Sequence, residues 1–416
     1  MDQLGERIKQ IRKERKMTLA QVAGDRLTKG MLSLIENGKA QPSMESLQHI
    51  AGQLNVDIAE LLQNENTVNF ADLLVEVQNY YQQTIESFNK EQLNDIYTKI
   101  IELVEPYVNN ELLKGQTYEE VRLYENYLLA HYYRDHTYDK NEIYRLAQLY
   151  EDARAYRKIL NPFSIMAMIA FTEKQYEQAL SYLQEGEVYL KRYSHHIDNI
   201  EKLDFYYNMT VLNAAINDEE KTEYYMNEAL TISKKYKVYY RLNDFYRFLF
   251  FTHIQKGEWE KSLHYLKKSE AFLVVMEDPF EDIMVFILKL QASNLIERDY
   301  ENTIQMKYDF PSLGDEVIKQ SSVFMNVEYG YAYYHLQQYE KANEQLKDIF
   351  IPEYNNHPID LSSIYRGYAL RALCLFELGE VEEAKRDILY AVDGVKDFHD
   401  NIFNTFIMDA HDKIMR

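Results

Sequence analysis

The side chains of this chain that could do chemistry are donors and acceptors suited to recognition, and they fall into two sets. Thr28, Lys29, Met31, Ser33 and Leu34 follow one another at the start of a short amphipathic stretch, with Arg12 upstream and Lys39 downstream. A lysine and a serine beside Met and Leu can bond and pack against base edges in the major groove, whereas Thr28, Lys39 and Arg12 suit phosphate oxygens. Leu32 and Ile35 fall on the opposite face and are predicted to be buried. The second set is spread over the rest of the chain: Asp204, Tyr207, Asn208, Asn243, Asp244, Arg247, Lys289, Asn326, Glu328, Tyr331 and Arg366. A side-chain amide can donate to and accept from a peptide main chain at once, and Arg or Lys can hold a carboxylate. With Tyr interleaved, such a set suits a short extended peptide.

Other chemistries find no residues to carry them. There is no phosphate-cradling glycine loop and no His/Cys cluster at metal-ligand spacing. His195-His196 is a pair without partners. Cys374, the one cysteine, sits in an Ala/Leu-rich stretch and reads as a small buried hydrophobe. Neither a cofactor nor a metal is expected, and hydrolytic or redox catalysis is not indicated.

The first set needs a helix-turn-helix to hold it. Thr18 can cap a helix over Leu19 to Gly24, and Thr28 a second one ending at Asn37-Gly38. Pro42-Ser43 opens another. Five helices are predicted, at 3–15, 18–24, 28–37, 43–54 and 57–62, making residues 1–62 a DNA-reading domain. The polar stretch 63–69 reads as a linker. Ser33-Leu-Ile-Glu-Asn-Gly-Lys39 followed by Pro42-Ser43 resembles the signature of Cro/repressor-type helix-turn-helix domains, and the resemblance extends from Leu4 to Leu62.

The second set needs a repeat. Gln175-Tyr-Glu-Gln-Ala-Leu-Ser-Tyr-Leu183 and Glu258-Trp-Glu-Lys-Ser-Leu-His-Tyr-Leu266 share one plan, as do the stretches beginning at Asp299, Gln338 and Glu380, and more weakly Asn217. The anchor positions 176, 219, 259, 300, 339 and 381 have a mean spacing of 41. Each unit is two helices, the anchor opening the second and a small residue such as Ala167, Gly330 or Ala372 lying in the first. This resembles tetratricopeptide repeats with lengthened helices. Residues 70–416 are therefore predicted to form a right-handed superhelix, with irregular helices over 70–135 and repeats over 136–416, and the second set on its concave side. The whole chain is expected to be all-α: 13 Gly and 7 Pro are few for 416 residues.

Charge fits this division. The net charge is −21, yet residues 3–39 carry nine Lys/Arg against four Asp/Glu, while residues 66–416 carry 37 against 58. A basic reader on an acidic body suits DNA binding by one end only. Lack of a disulfide framework, of a leader and of a long apolar run points to the cytoplasm, without a membrane partner.

A repressor-type reader joined to such an array resembles the Gram-positive peptide-pheromone receptors, the PlcR, NprR, Rgg and Rap group, and most closely the NprR-like quorum-sensing regulators; the pattern from Lys29 through Gly38 and the chain length carry that resemblance. It implies a secreted and re-imported signalling peptide in the groove, an operator as DNA partner, and pairing into a homodimer or higher oligomer. It also implies an alternative, in which the chain promotes dephosphorylation of a sporulation response regulator through an inserted glutamine. Gln78, Gln82, Gln83, Gln92 and Gln116 lie in the comparable region, and none matches a motif closely enough to carry that role over.

Overall fold

The computed structural model describes residues 3–58, 61, 69–86, 90–276, 278–309 and 314–416, and its regular elements are all helices, with no strand among the described residues. The chain divides into two compact units, Met1–Glu76 and Val77–Arg416.

In the first unit, α1 spans Gln3–Glu14, α2 Leu19–Ala23, α3 Lys29–Glu36 and α4 Met44–Leu54. Each short helix is started by a side chain. Thr18, Thr28 and Ser43 accept from the backbone N–H of Gln21, Met31 and Ser46, and Gln21 returns a capping box to Thr18. Ile8, Val22, Leu32, Ile35, Leu47, Ile50 and Leu54 form the core. Gly5 lets α1 approach α3: a Cβ there would lie 2.2 Å from the carbonyl oxygen of Ile35. The predicted fifth helix, 57–62, falls partly outside the described residues, although Leu61 joins the core. Of the predicted linker, only Asn69 is described. The next helix, α5 (Phe70–Glu86), spans the division between the units.

In the second unit, α6 (Lys90–Asn109) packs on α7 (Tyr118–Asp135), and α8 (Lys140–Asp152) follows. Then come the hairpins α9 (Asn161–Thr172) with α10 (Tyr176–Arg192), α11 (Asn199–Ala215) with α12 (Glu219–Tyr236), and α13 (Leu242–Gln255) with α14 (Trp259–Met276). The series continues with α15 (Pro279–Ala292) and α16 (Tyr300–Gln305), α17 (Asp315–His335) and α18 (Tyr339–Leu346), and α19 (Pro358–Glu377) and α20 (Val381–Val395). A single helix, α21 (Ile402–Met415), closes the chain.

Every anchor position opens the second helix of its hairpin. Two residues before it, at Lys174, Asn217, Gly257, Arg298, Gln337 and Gly379, the backbone has φ between 56° and 89°. That left-handed residue turns the chain so that the following N–H reaches back five residues, as from Gln175 to Ala170 (2.9 Å) and from Glu380 to Leu375 (2.8 Å). The hairpin of α15 and α16 differs. A π-turn over Ser293–Glu297 adds one residue, and Asp299 N–H reaches Ser293 O at 2.9 Å. At Gly330 a Cβ would meet Leu346 at 2.6 Å, so the small residue of this hairpin admits its own second helix.

A candidate reading helix and a self-covered repeat groove

In the first unit the helical register separates α3 into two faces. Leu32 and Ile35 are buried, while Thr28, Lys29, Met31, Leu34 and Lys39 are exposed and Ser33 is half-buried. Met31 and Leu34 keep 46% and 45% of their surface in solvent, which is unusual for large apolar side chains on a helix whose other face is core. Gly30 lies between them with open space around it. Lys29 and Lys39, at either end of this stretch, are exposed and add positive charge.

Arg12 is used differently from its expected place on phosphate. Its Nε and Nη2 donate to the two carboxylate oxygens of Glu36 at 2.7 and 2.8 Å, and Nη1 donates to Met17 O at 3.0 Å. Glu36 is buried, so the guanidinium neutralises a carboxylate at the end of α3 and ties α1 to it. The Glu36 hydrogen bond raises the Arg12 pKa above its ordinary value.

These features match a known family at sequence level. Residues 5–67 match the helix-turn-helix domain family. The match takes in α1 to α4, so the first unit carries a helix-turn-helix. The immunity repressor protein of Bacillus phage phi105 is 36% identical over 66 residues, which is 16% of this chain and 46% of the repressor. The chain thus spans about half the length of that relative. The crystal structure of Bacillus thuringiensis PlcR in complex with the peptide PapR7 and DNA is 20% identical, covers 71% of this chain and 99% of its own, and superposes with a TM-score of 0.35. The Streptococcus dysgalactiae SHP pheromone receptor Rgg2 is 14% identical, with coverages of 70% and 99% and a TM-score of 0.32. At such TM-scores the likeness says nothing about a ligand.

The second unit brings some of the predicted groove residues together and buries others. A cavity of 320 Å³ is lined by Ala167, Met168 and Phe171 of α9, Tyr207, Asn208 and Val211 of α11, and Phe248 and Phe251 of α13. Tyr207 and Asn208, two of the predicted groove residues, thus line this cavity. The cavity's remaining wall is the segment 354–360, which arrives from the far end of the array and contributes Tyr354, Asn356, His357 and Asp360. Tyr176 Oη donates to Asn356 O at 2.7 Å and holds the segment there. Burial pushes the Tyr207 phenol up to about 12, so it is a neutral donor at pH 7.

Glu328 and Arg366 do not face a groove. They are 0% and 1% exposed and ion-paired to each other, with Asn294 Nδ2 donating to Glu328 Oε2 at 2.9 Å. The reason is α21. Its Phe403 ring lies 4.7 Å from the Arg366 guanidinium, and its Phe406 packs at 5.8 Å on Tyr331. The chain's last helix thus covers the face that the repeat plan leaves open. Gln255 Oε1 accepts from Ile402 N at 3.0 Å and pins its start to α13.

The other predicted groove residues are engaged with neighbours. Asn243 and Arg247 both donate to Glu281, and Arg247 also pairs with Asp244. Asp204 accepts from Arg241 at 2.8 Å. Lys289 pairs with Glu270 at 3.2 Å, and Asn326 Oδ1 accepts from Gln345 at 2.6 Å. Among the lining residues that sequence reasoning missed are Tyr354, Asn356, His357 and Asp360. Their signal was Pro352 through Pro358, the one stretch between repeats with two prolines and two asparagines.

No group of His, Cys, Asp and Glu among the described residues could hold a metal ion. No helix among them is long and apolar enough to cross a membrane.

Proposed function

We propose that the chain is a peptide-responsive transcription regulator, reading an operator through α3 and taking a short peptide in the cavity between α9, α11, α13 and segment 354–360. The observation that carries the DNA half is the exposed face of α3. Lys29, Met31 and Leu34 stand in solvent on a helix whose opposite face is locked into the core. In this reading Lys29, Met31, Ser33 and Leu34 meet base edges, while Thr28 and Lys39 meet phosphate. The peptide half is supported by a cavity that three successive first helices build together, with Asn208 available to a main chain and Tyr207 as donor. Its 320 Å³ lies within the ~300–1,000 Å³ of ligand sites.

The test is a gel shift at fixed salt on genomic fragments selected by the wild-type protein. Lys29→Glu is expected to weaken binding by about 1–3 kcal/mol while leaving thermal unfolding unchanged, because Lys29 is exposed. Undiminished affinity of the variant on every selected fragment counts against this use of α3.

A further inference from the structure

The cavity beside segment 354–360 has a polar character that its apolar walls do not explain. Among its described lining residues there is no Lys and no Arg, and Asp360 is the one carboxylate. Asp360 sits in the first turn of α19, where a carboxylate favours the helix N-terminus. That accounts for an acid at this position, but the site does more than that. Among the described residues nothing donates a hydrogen bond to the Asp360 carboxylate, and no cation pairs with it. Arg247 acts on it only through space, while its Nη1 and Nη2 pair with Glu281 and Asp244 instead. Burial accordingly pushes the Asp360 pKa up. Asp360 is half-buried and lines the cavity, so an incoming cation can reach it and supply the charge its own surroundings lack.

His357, one helical turn earlier on the same face, adds a second unmet group. Its Nδ1 accepts from Ile359 N–H at 3.2 Å, so the neutral ring carries its proton on Nε2. The residue is 8% exposed, lines the cavity, and its Nε2 has no hydrogen-bond partner of acceptable geometry, although the Val211 carbonyl lies near the ring. Burial pushes its pKa down, so it adds no positive charge at neutral pH. The cavity therefore presents an open acceptor with negative charge, a neutral donor beside it, and aromatic walls from Tyr207, Phe248 and Tyr354.

The adjoining cavity, which shares Phe248 and Ile359 with this one, supplies no free cation among its described lining residues. Its Lys256 is bridged to Glu219 at 2.7 Å and its Lys261 to Glu258 at 3.1 Å.

We infer that this cavity seats a cationic group of the bound peptide, an ammonium or a guanidinium, on the Asp360 carboxylate, with a neighbouring carbonyl of the peptide accepting from His357 Nε2. This rests on the peptide reading above. The ammonium can come from the peptide's N-terminus or from a side chain, and the test separates the two.

The probe is a positional-scanning library of heptapeptides, titrated against the full chain by fluorescence polarisation. At each position one pool fixes Lys and a matched pool fixes norleucine, which keeps the aliphatic stem and removes the charge. The library is made once with free and once with acetylated N-termini. The expected result is a preference of at least tenfold for Lys over norleucine at one position, or for the free over the acetylated N-terminus. Asp360→Asn should reduce that preference to within threefold, and Asp360→Glu should retain most of it. Peptide pools that bind the wild type without any preference for a cation overturn the inference and leave the peptide reading standing. So does a preference that survives Asp360→Asn in a protein of unchanged helicity. If no pool binds the wild type, the inference and the peptide reading fall together. Where Asp360→Asn fails to fold, Asp360→Glu replaces it, and a cation preference that disappears with this longer carboxylate while the norleucine pools still bind counts against the inference.

Discussion

Arg12 and Lys29 are both basic residues of the helix-turn-helix domain, and the structure gives them opposite tasks. Lys29 stands in solvent, whereas the Arg12 guanidinium closes a fork on buried Glu36. Removing one member of a buried pair strands the other, at a cost of about 3–5 kcal/mol. Arg12→Ala is therefore expected to lower the unfolding temperature of this domain sharply, and Arg12→Met with Glu36→Leu to recover most of the loss. Differential scanning calorimetry checks both; a stable Arg12→Ala domain with weakened DNA binding would return Arg12 to the phosphate backbone. The sequence could not show this pairing, because Glu36 lies 24 residues away and only the packing of α1 on α3 brings it close. Thr28, Leu32 and Ile35 were legible because capping and helical period are local.

His357 carries the pH dependence of the segment that walls the cavity. Its folded pKa is depressed by burial, against an unfolded value of about 6.5. As pH falls through 6.5 the unfolded chain binds a proton that the folded chain refuses, so stability is lost in that window. Asp360, with its pKa raised, acts with the opposite sign: the folded chain holds its proton to higher pH, and acidification toward the ordinary carboxylate range favours folding. Arg247 lies within electrostatic reach of Asp360, and the nearby Tyr207 and Tyr354 phenols, pushed up to about 12 by burial, stay neutral between pH 5.5 and 7.5. His357→Asn keeps a side-chain acceptor for Ile359 N–H and removes the titration. Between pH 7.5 and 5.5, denaturant melts should show the wild type losing about 1 kcal/mol more than this variant. Parallel curves would mean that the ring is protonated in the folded state as readily as in the unfolded one.

At the scale of elements, the repeat was readable because its anchor is a local device: a bulky or charged residue opening a helix after a polar turn. All six anchor positions begin a helix. The turn itself was less readable. Gly257, Gly379 and, less strongly, Asn217 announce a left-handed residue, while Lys174, Arg298 and Gln337 adopt one against their own preference. The hairpin imposes that conformation, since the packed pair of helices gains more than one strained residue costs. The two kinds of position make a clean comparison. A Cβ at Gly379 would meet nothing within 4 Å, so Gly379→Ala tests backbone alone and is expected to cost about 1–2 kcal/mol. Gln337→Gly relieves the same strain at the price of unfolded-state entropy, and should lie between neutral and about 1 kcal/mol stabilising. Urea melts of the two variants check the signs; a harmless Gly379→Ala would show that the turn can relax.

For the whole molecule, the sequence-level picture of an open concave groove was incomplete because a repeat pattern describes neighbours and not returns. Segment 354–360 reaches Tyr176, 180 residues away by its Asn356 contact, and α21 lies over Arg366 and Tyr331. Residues 354–357 and α21 lie outside the repeats, so periodicity gave no reason to fold them back onto the first helices. The charge division was legible, and it bears on assembly. The basic excess of residues 3–39 is +5, too little to hold DNA against an acidic body unless two readers act together. One helix-turn-helix covers one half-site, and a two-fold pair of readers asks for half-sites about 34–36 Å apart along the helix axis, or a multiple of that. We therefore expect hydroxyl-radical footprints on selected operators to show two protected half-sites in inverted orientation. Disabling one half-site should weaken binding by far more than half of the sites' separate contributions, because the second reader then pays the cost of association without specific contacts. Mixing Lys29→Glu with wild-type chains should poison binding in proportion to the heterodimer formed. A single protected half-site, occupied by one protomer with unchanged affinity when its neighbour is scrambled, would show that the reader works alone and that the acidic array does not pair the chains on DNA.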